Sequence, residues 1–68
     1  MLDLELDQVW AELGDRKRYF RIVKLNKAFA LCVVGGWDRT HNQIKWMKRN
    51  VWVRFALFKT YRLESPRV

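Results

Sequence analysis

The chain is predicted to fold as a mainly β protein, a small barrel of five short strands. Three observations carry that prediction. Residues 2–7, Leu-Asp-Leu-Glu-Leu-Asp, alternate strictly between apolar and acidic side chains, the period of two expected of a half-buried strand. Residues 18–25 and 28–34 are rich in β-branched and aromatic side chains, which suit a pleated surface. Turn residues punctuate the chain at short intervals: Gly14-Asp15, Asn26-Lys27 and Gly35-Gly36.

The elements follow in order. A leader strand over residues 1–7 would put Leu2, Leu4 and Leu6 on one face and Asp3, Glu5 and Asp7 on the other. The alternation slips near Gln8, where Val9, Ala11 and Leu13 become the apolar set, so a bulge or bend is expected there. Gly14-Asp15 reads as a turn into a strand over Arg18–Leu25. Asn26-Lys27 fits a two-residue hairpin turn, because Asn tolerates positive φ. Residues 28–34 follow, with Phe29, Leu31 and Val33 large and Ala28, Ala30 and Cys32 small. Both sets are apolar, which predicts a central strand buried on both sides. Gly35-Gly36 would end it where a side chain will not fit, and residues 37–43 would form a loop.

Beyond that loop two readings compete. Strands over Ile44–Arg49 and Val51–Phe55 would be separated by a break at Asn50. A helix over about 41–58 would instead collect Ile44, Met47, Val51, Phe55 and Phe58 on one stripe, with Thr40 and Gln43 as a capping box. That alternative gives a three-stranded sheet plus a C-terminal amphipathic helix. Trp46, Trp52, Val53 and Leu57 fall off the helical stripe, and Val51-Trp52-Val53 favours extended backbone. Strands are therefore preferred. Tyr61–Leu63 would be the last strand, and Ser65-Pro66 would end the structure.

At 68 residues the chain is expected to be one small domain: a leader at 1–7, a barrel at 8–64 and a tail at 65–68. Half of the residues are hydrophobic, which excludes a disordered polar chain. Cys32 is the single cysteine, so no internal disulfide can form, and a reducing, cytoplasmic compartment fits. Its apolar neighbours predict a small buried side chain rather than a reactive thiol. The acidic N-terminus does not read as a signal peptide. The longest apolar run, Ala28 to Val34, is far below the ~20 residues that span a bilayer.

Charge is segregated along the chain. Asp3, Glu5, Asp7, Glu12 and Asp15 give the first 15 residues a formal charge of −5. The rest holds all 14 Lys and Arg against Asp38 and Glu64, a balance of +12. A net charge of +7 favours polyanions. Residues 37–54 interleave Arg39, Lys45, Lys48, Arg49 and Arg54 with Trp37, Trp46 and Trp52. Cations would neutralise phosphates and an exposed indole would stack on a base. Arg16, Lys17 and Arg18 form a second basic cluster at the first turn. The bland reading is that the indoles fill the core and the cations are a solvated face. Asp3, Glu5 and Asp7 are a candidate protein interface, able to imitate a row of phosphates, to fold back on the basic surface, or to pair as an edge strand with another copy.

Catalysis has little support. Asp38-x-x-His41 is the one carboxylate–imidazole pairing close in sequence, and a hydrolase also needs a positioned nucleophile and an oxyanion site. One Cys and one His do not make a structural zinc site. Gly35-Gly36 lacks the spacing and the Lys of a phosphate loop. No cofactor is expected.

Five short strands in so short a chain suggest an SH3-like barrel. The succession Asp7-Gln8-Val9-Trp10, Asp15-Arg16-Lys17-Arg18 leading into Phe20-Arg21-Ile22-Val23, Ala28 to Val34, and Val51-Trp52-Val53-Arg54 with Phe58 and Tyr61-Arg62-Leu63 resembles small phage- and plasmid-associated SH3-like barrel proteins. The resemblance implies the fold and a mobile-element origin. The expected function is non-catalytic binding of nucleic acid, RNA or single-stranded DNA before duplex. The alternative is a phage-type protein that binds and inhibits a host protein or nucleoprotein complex. Homo-oligomers through edge strands are a third possibility for partners.

Overall fold

β-branched and aromatic side chains hold residues 18–25 and 29–38 extended, and the rest of the sheet assembles around them. The computed structural model describes residues 3–14 and 17–65. It contains β1 (Val9–Glu12), β2 (Arg18–Leu25), β3 (Phe29–Asp38), β4 (Gln43–Arg54) and β5 (Tyr61–Ser65), with a 3-10 turn over Phe55–Thr60. The expected mainly β fold is therefore present. All pairings are antiparallel, in the order β4-β3-β2-β1-β5. The edges are β4 and β5, so the sheet is open where a barrel would close it. It still gathers one core: Trp10, Phe20, Ile22, Ala30, Cys32, Val34, Val53 and Phe58, with Tyr61 packed against them.

β3 departs from the expected strand buried on both sides. Ala30, Cys32 and Val34 are buried, whereas Phe29, Leu31 and Val33 are partly exposed on the opposite face. The small side chains leave volume for rings. Trp10 meets Phe58 edge-on at 5.4 Å, Phe58 meets Tyr61 edge-on at 5.4 Å, and Phe20 stacks on Tyr61 at 5.2 Å. Such pairs add to what burial alone contributes.

Gly35 and Gly36 do not end β3; they lie inside it. A Cβ on Gly35 would stand 2.6 Å from Trp46 Cε3 and 2.8 Å from Ile44 Cγ2. The expectation that no side chain fits holds at Gly35, because of the close approach of the Trp46 ring, and not at Gly36, where a Cβ would meet only Met47 Cε at 3.4 Å. Opposite, β4 is one strand and not two separated at Asn50. Val33 pairs with Asn50 and Gly35 with Trp46, so Met47, Lys48 and Arg49 together face Val34. That bulge bends the strand. It also removes the case for a helix over 41–58, since β4 spans most of it and the helical turn begins only at Phe55. Thr40 and Gln43 accordingly cap nothing.

The tight turns use side chains. Asn26 Oδ1 accepts from Ala28 N at 3.0 Å and Phe29 N at 2.8 Å, so Asn26 acts as an Asx turn rather than through positive φ. Positive φ falls instead on Asn42 (51°), in the β3–β4 turn, and on Asp7 (69°).

The leader is not a strand over its described residues, 3–7. The expected bend is at Leu6-Asp7, and the chain is then held by one amide. Gln8, only 5% exposed, accepts at Oε1 from Glu5 N (2.9 Å) and from Trp10 Nε1 (3.1 Å), and donates from Nε2 to Asp3 O (3.2 Å). Asp7 N donates to Ile22 O at 2.8 Å, and Ile22 N donates to Gln8 O at 3.0 Å. The leader is thus tied to the end of β2 as an irregular segment. The parts of the leader at residues 1–2 and of the tail at 66–68 lie outside the described residues.

Two outcomes follow. Gln8→Leu leaves the Trp10 N–H and the Glu5 N–H without their acceptor, and should cost about 1–3 kcal/mol in urea unfolding; a change below ~0.5 kcal/mol would contradict the role of the amide. Cys32 is fully buried, and burial pushes its thiol up to about 12. A thiol reagent should therefore react far more slowly with native than with denatured protein, and equal rates would contradict the assignment.

Candidate nucleic-acid interface

Side chains alternate across a strand, so residues paired directly share a face. Phe29, Leu31, Val33, Gly35 and Trp37 line the face of β3 opposite the core. Leu31 pairs with Trp52, Gly35 with Trp46 and with Tyr19, and Trp37 with Ile44. Trp37, Trp46 and Trp52 therefore share the outer face, and Trp10 is the core tryptophan. Trp37 is 47% and Trp52 50% exposed. Trp46 is partly buried over Gly35.

The outer face ends in a basic hollow. Tyr19, buried, forms its floor and Trp37 its wall, the two rings lying 6.2 Å apart with a 41° tilt. Lys17, Arg39, Arg62 and Glu64 complete the rim with Gly14, around about 760 Å³. Lys17 comes from the approach to β2, Arg39 from the β3–β4 turn, and Arg62 and Glu64 from β5. Arg62 Nε stands 3.8 Å from Glu64 Oε1. Among the described residues, Lys17 and Arg39 have no ion-pair partner. A second hollow of about 300 Å³ also touches Trp37 and Arg39, but Lys45, which lines it, pairs with Gly36 and so lies on the face opposite Trp46.

The other sequence candidates disperse. Lys48 and Arg49 stand exposed on the β4 bulge. Arg54 lies over the Phe29 ring, 5.9 Å from its centroid, next to Trp52 on the outer face. Arg18 is engaged: its guanidinium grips Glu12 through Nε–Oε1 (3.1 Å) and Nη2–Oε2 (2.6 Å) and lies over Phe20. The hydrogen bond from Arg18 holds the Glu12 carboxyl below its usual range. Arg18 is thus better described as a strand clasp than a phosphate ligand. Arg16 lies outside the described residues.

Tyr19, Arg62 and Glu64 were not singled out from sequence. Tyr19 carries a usable signal, since it neighbours Phe20 on a strand and must point the other way. Arg62 and Glu64 reach the hollow only because β5 returns beside β1.

Asp38 and His41 do meet, with Nδ1 2.7 Å from Oδ2. Asp38 Oδ1 also accepts from Thr40 N at 3.0 Å and from His41 N at 3.4 Å, so the pair clasps the turn that presents Arg39. The hydrogen bond to His41, above all, lowers the Asp38 carboxyl from its ordinary value. The acidic leader stands apart: Asp3 and Glu5 are exposed beside Leu25, Asn26 and Phe55. Leu25 is six positions along β2 from Tyr19, about 20 Å at strand rise. Among the described residues, the leader reaches the basic surface only where Asp7 Oδ1 accepts from Arg21 at 3.3 Å.

Among the described residues no helix is long and apolar enough to cross a membrane. Comparisons with known proteins found no matching family model, no matching curated protein and no matching solved structure.

Proposed function

We propose that this protein binds single-stranded nucleic acid, RNA or DNA, on the outer face of its sheet and catalyses no reaction. One observation carries the reading. Three of the four tryptophans sit on the face away from the core, in a domain whose small size limits how much it can bury. Cations border them: Lys17, Arg39 and Arg62 around Trp37, Arg54 beside Trp52. Phosphates would meet the cations and bases the exposed rings, with little sequence preference along most of the face.

The fold reading behind it is an SH3-like barrel left open along one seam. Its support is a four-strand meander whose fifth strand, after a 3-10 turn, returns to pair with β1, with Val53 and Phe58 sharing one core with Trp10. A second reading, a mobile-element protein that occupies a host protein, is favoured by the exposed Asp3 and Glu5, which lie away from the basic hollow. Trp and Arg also anchor protein interfaces.

Binding of fluorescent RNA, single-stranded DNA and duplex at several salt concentrations tests the first reading. Log K should fall linearly with log salt, and single strands should bind tighter than duplex. Lys17→Ala with Arg39→Ala should reduce the slope by about 0.7 per lost contact. Trp37→Ala should weaken binding by ~1–3 kcal/mol with the slope unchanged. Absence of salt-dependent binding at micromolar protein would refute the reading and leave the host-protein alternative.

A further inference from the structure

The basic hollow is not uniformly basic. Glu64 lines it beside Trp37, Tyr19, Lys17, Arg39 and Arg62. A surface built only to hold phosphate would gain nothing from a carboxylate there, because it repels the backbone. We infer that the hollow seats one nucleotide of a bound strand and selects guanine, with Glu64 reading the base. The inference rests on the nucleic-acid reading above.

The chemistry is specific. Guanine presents two adjacent N–H donors, N1–H and the N2 amino group, on its Watson–Crick edge. A carboxylate has two acceptor oxygens and no donor, so it can take both. Adenine and cytosine place an acceptor ring nitrogen next to their amino group, and uracil flanks its one N–H with carbonyls. Each would set an acceptor against Glu64. Single-stranded bases expose these edges for reading once a ring stacks on an aromatic face. Trp37 offers that face, at 47% exposure. The buried Tyr19 closes the floor beside it, with ring centroids 6.2 Å apart.

The rest of the hollow fits a nucleotide within a strand. Lys17, Arg39 and Arg62, from three different segments, lie with Glu64 and Trp37 around one hollow. Phosphates on either side of the stacked base would therefore each find a cation. Arg62 Nε stands 3.8 Å from Glu64 Oε1, beyond hydrogen-bond distance, so it can attract the carboxylate while leaving its oxygens able to accept from a base.

The test compares uridine heptamers carrying one central guanosine, adenosine, cytidine or uridine. The wild-type protein should bind the guanosine heptamer about tenfold tighter than the others, at the low end for a bidentate base contact. Glu64→Gln offers one acceptor and one donor, which all four bases can match with an adjacent donor and acceptor, so the preference for guanosine should be lost. Its affinity for the all-uridine heptamer should not fall. GMP should displace the guanosine heptamer only at much higher concentration than the heptamer itself; equal potency would overturn the requirement for a strand. Equal wild-type affinity for all four heptamers would overturn base selection while leaving the single-strand reading intact. So would a Glu64→Gln variant weakened equally on all four, which would mark a structural role. No binding of any heptamer would overturn the underlying reading instead.

Discussion

β3 carries small side chains toward the core and large ones away from it, and the packing of the whole molecule adapts to that asymmetry. Ala30, Cys32 and Val34 leave room on the inner face, and Trp10, Phe20, Phe58 and Tyr61 fill it in ring-to-ring contact. With the core satisfied by those rings, Trp37 and Trp52 remain at the surface and Trp46 is left partly buried. Gly35 extends the same logic, since only a missing side chain lets Trp46 lie against the strand. The surface aromatics are thus a consequence of the inner face being full.

The two ends of the molecule serve different chemistry. At one end, a single buried amide ties the acidic leader down. Gln8 answers two N–H donors and one carbonyl, which a buried polar group requires. At the other end, β5, the β3–β4 turn and the approach to β2 converge on Trp37 with cations of three different origins. The Glu12–Arg18 pair between β1 and β2 and the Asp38–His41 clasp consume carboxylates, while Lys17 and Arg39 have no ion-pair partner among the described residues. Self-inhibition by the leader is disfavoured by its distance from the hollow.

What the sequence made legible was local. The bounds of β2 follow from a run of β-formers, the β2–β3 hairpin from Asn26, and the burial of Cys32 from its neighbours. The phase slip at Gln8 did mark a bend. The failures came from interactions between distant residues. Alternation over residues 2–7 looks like a strand, yet the Gln8 amide and positive φ at Asp7 impose an irregular path. The glycine pair reads as a strand end until Trp46 is placed against it. One β4 strand reads as two because a bulge of Met47, Lys48 and Arg49 interrupts its period. In the basic segment, Trp37 and Arg39 are brought together, while Lys45 falls on the other face and Arg18 is diverted to Glu12. Arg62 and Glu64 could be assigned to the hollow only from the return of β5 beside β1.

The four indole N–H groups offer the most direct measurement. In nitrogen–proton correlation spectra of labelled protein titrated with a single-stranded oligonucleotide, the Trp37 signal should shift most. The Trp10 signal, whose N–H is held by Gln8 Oε1 at 3.1 Å in the core, should stay in place. Movement of Trp10 with Trp37 unchanged would contradict the assignment of the outer face as the binding surface.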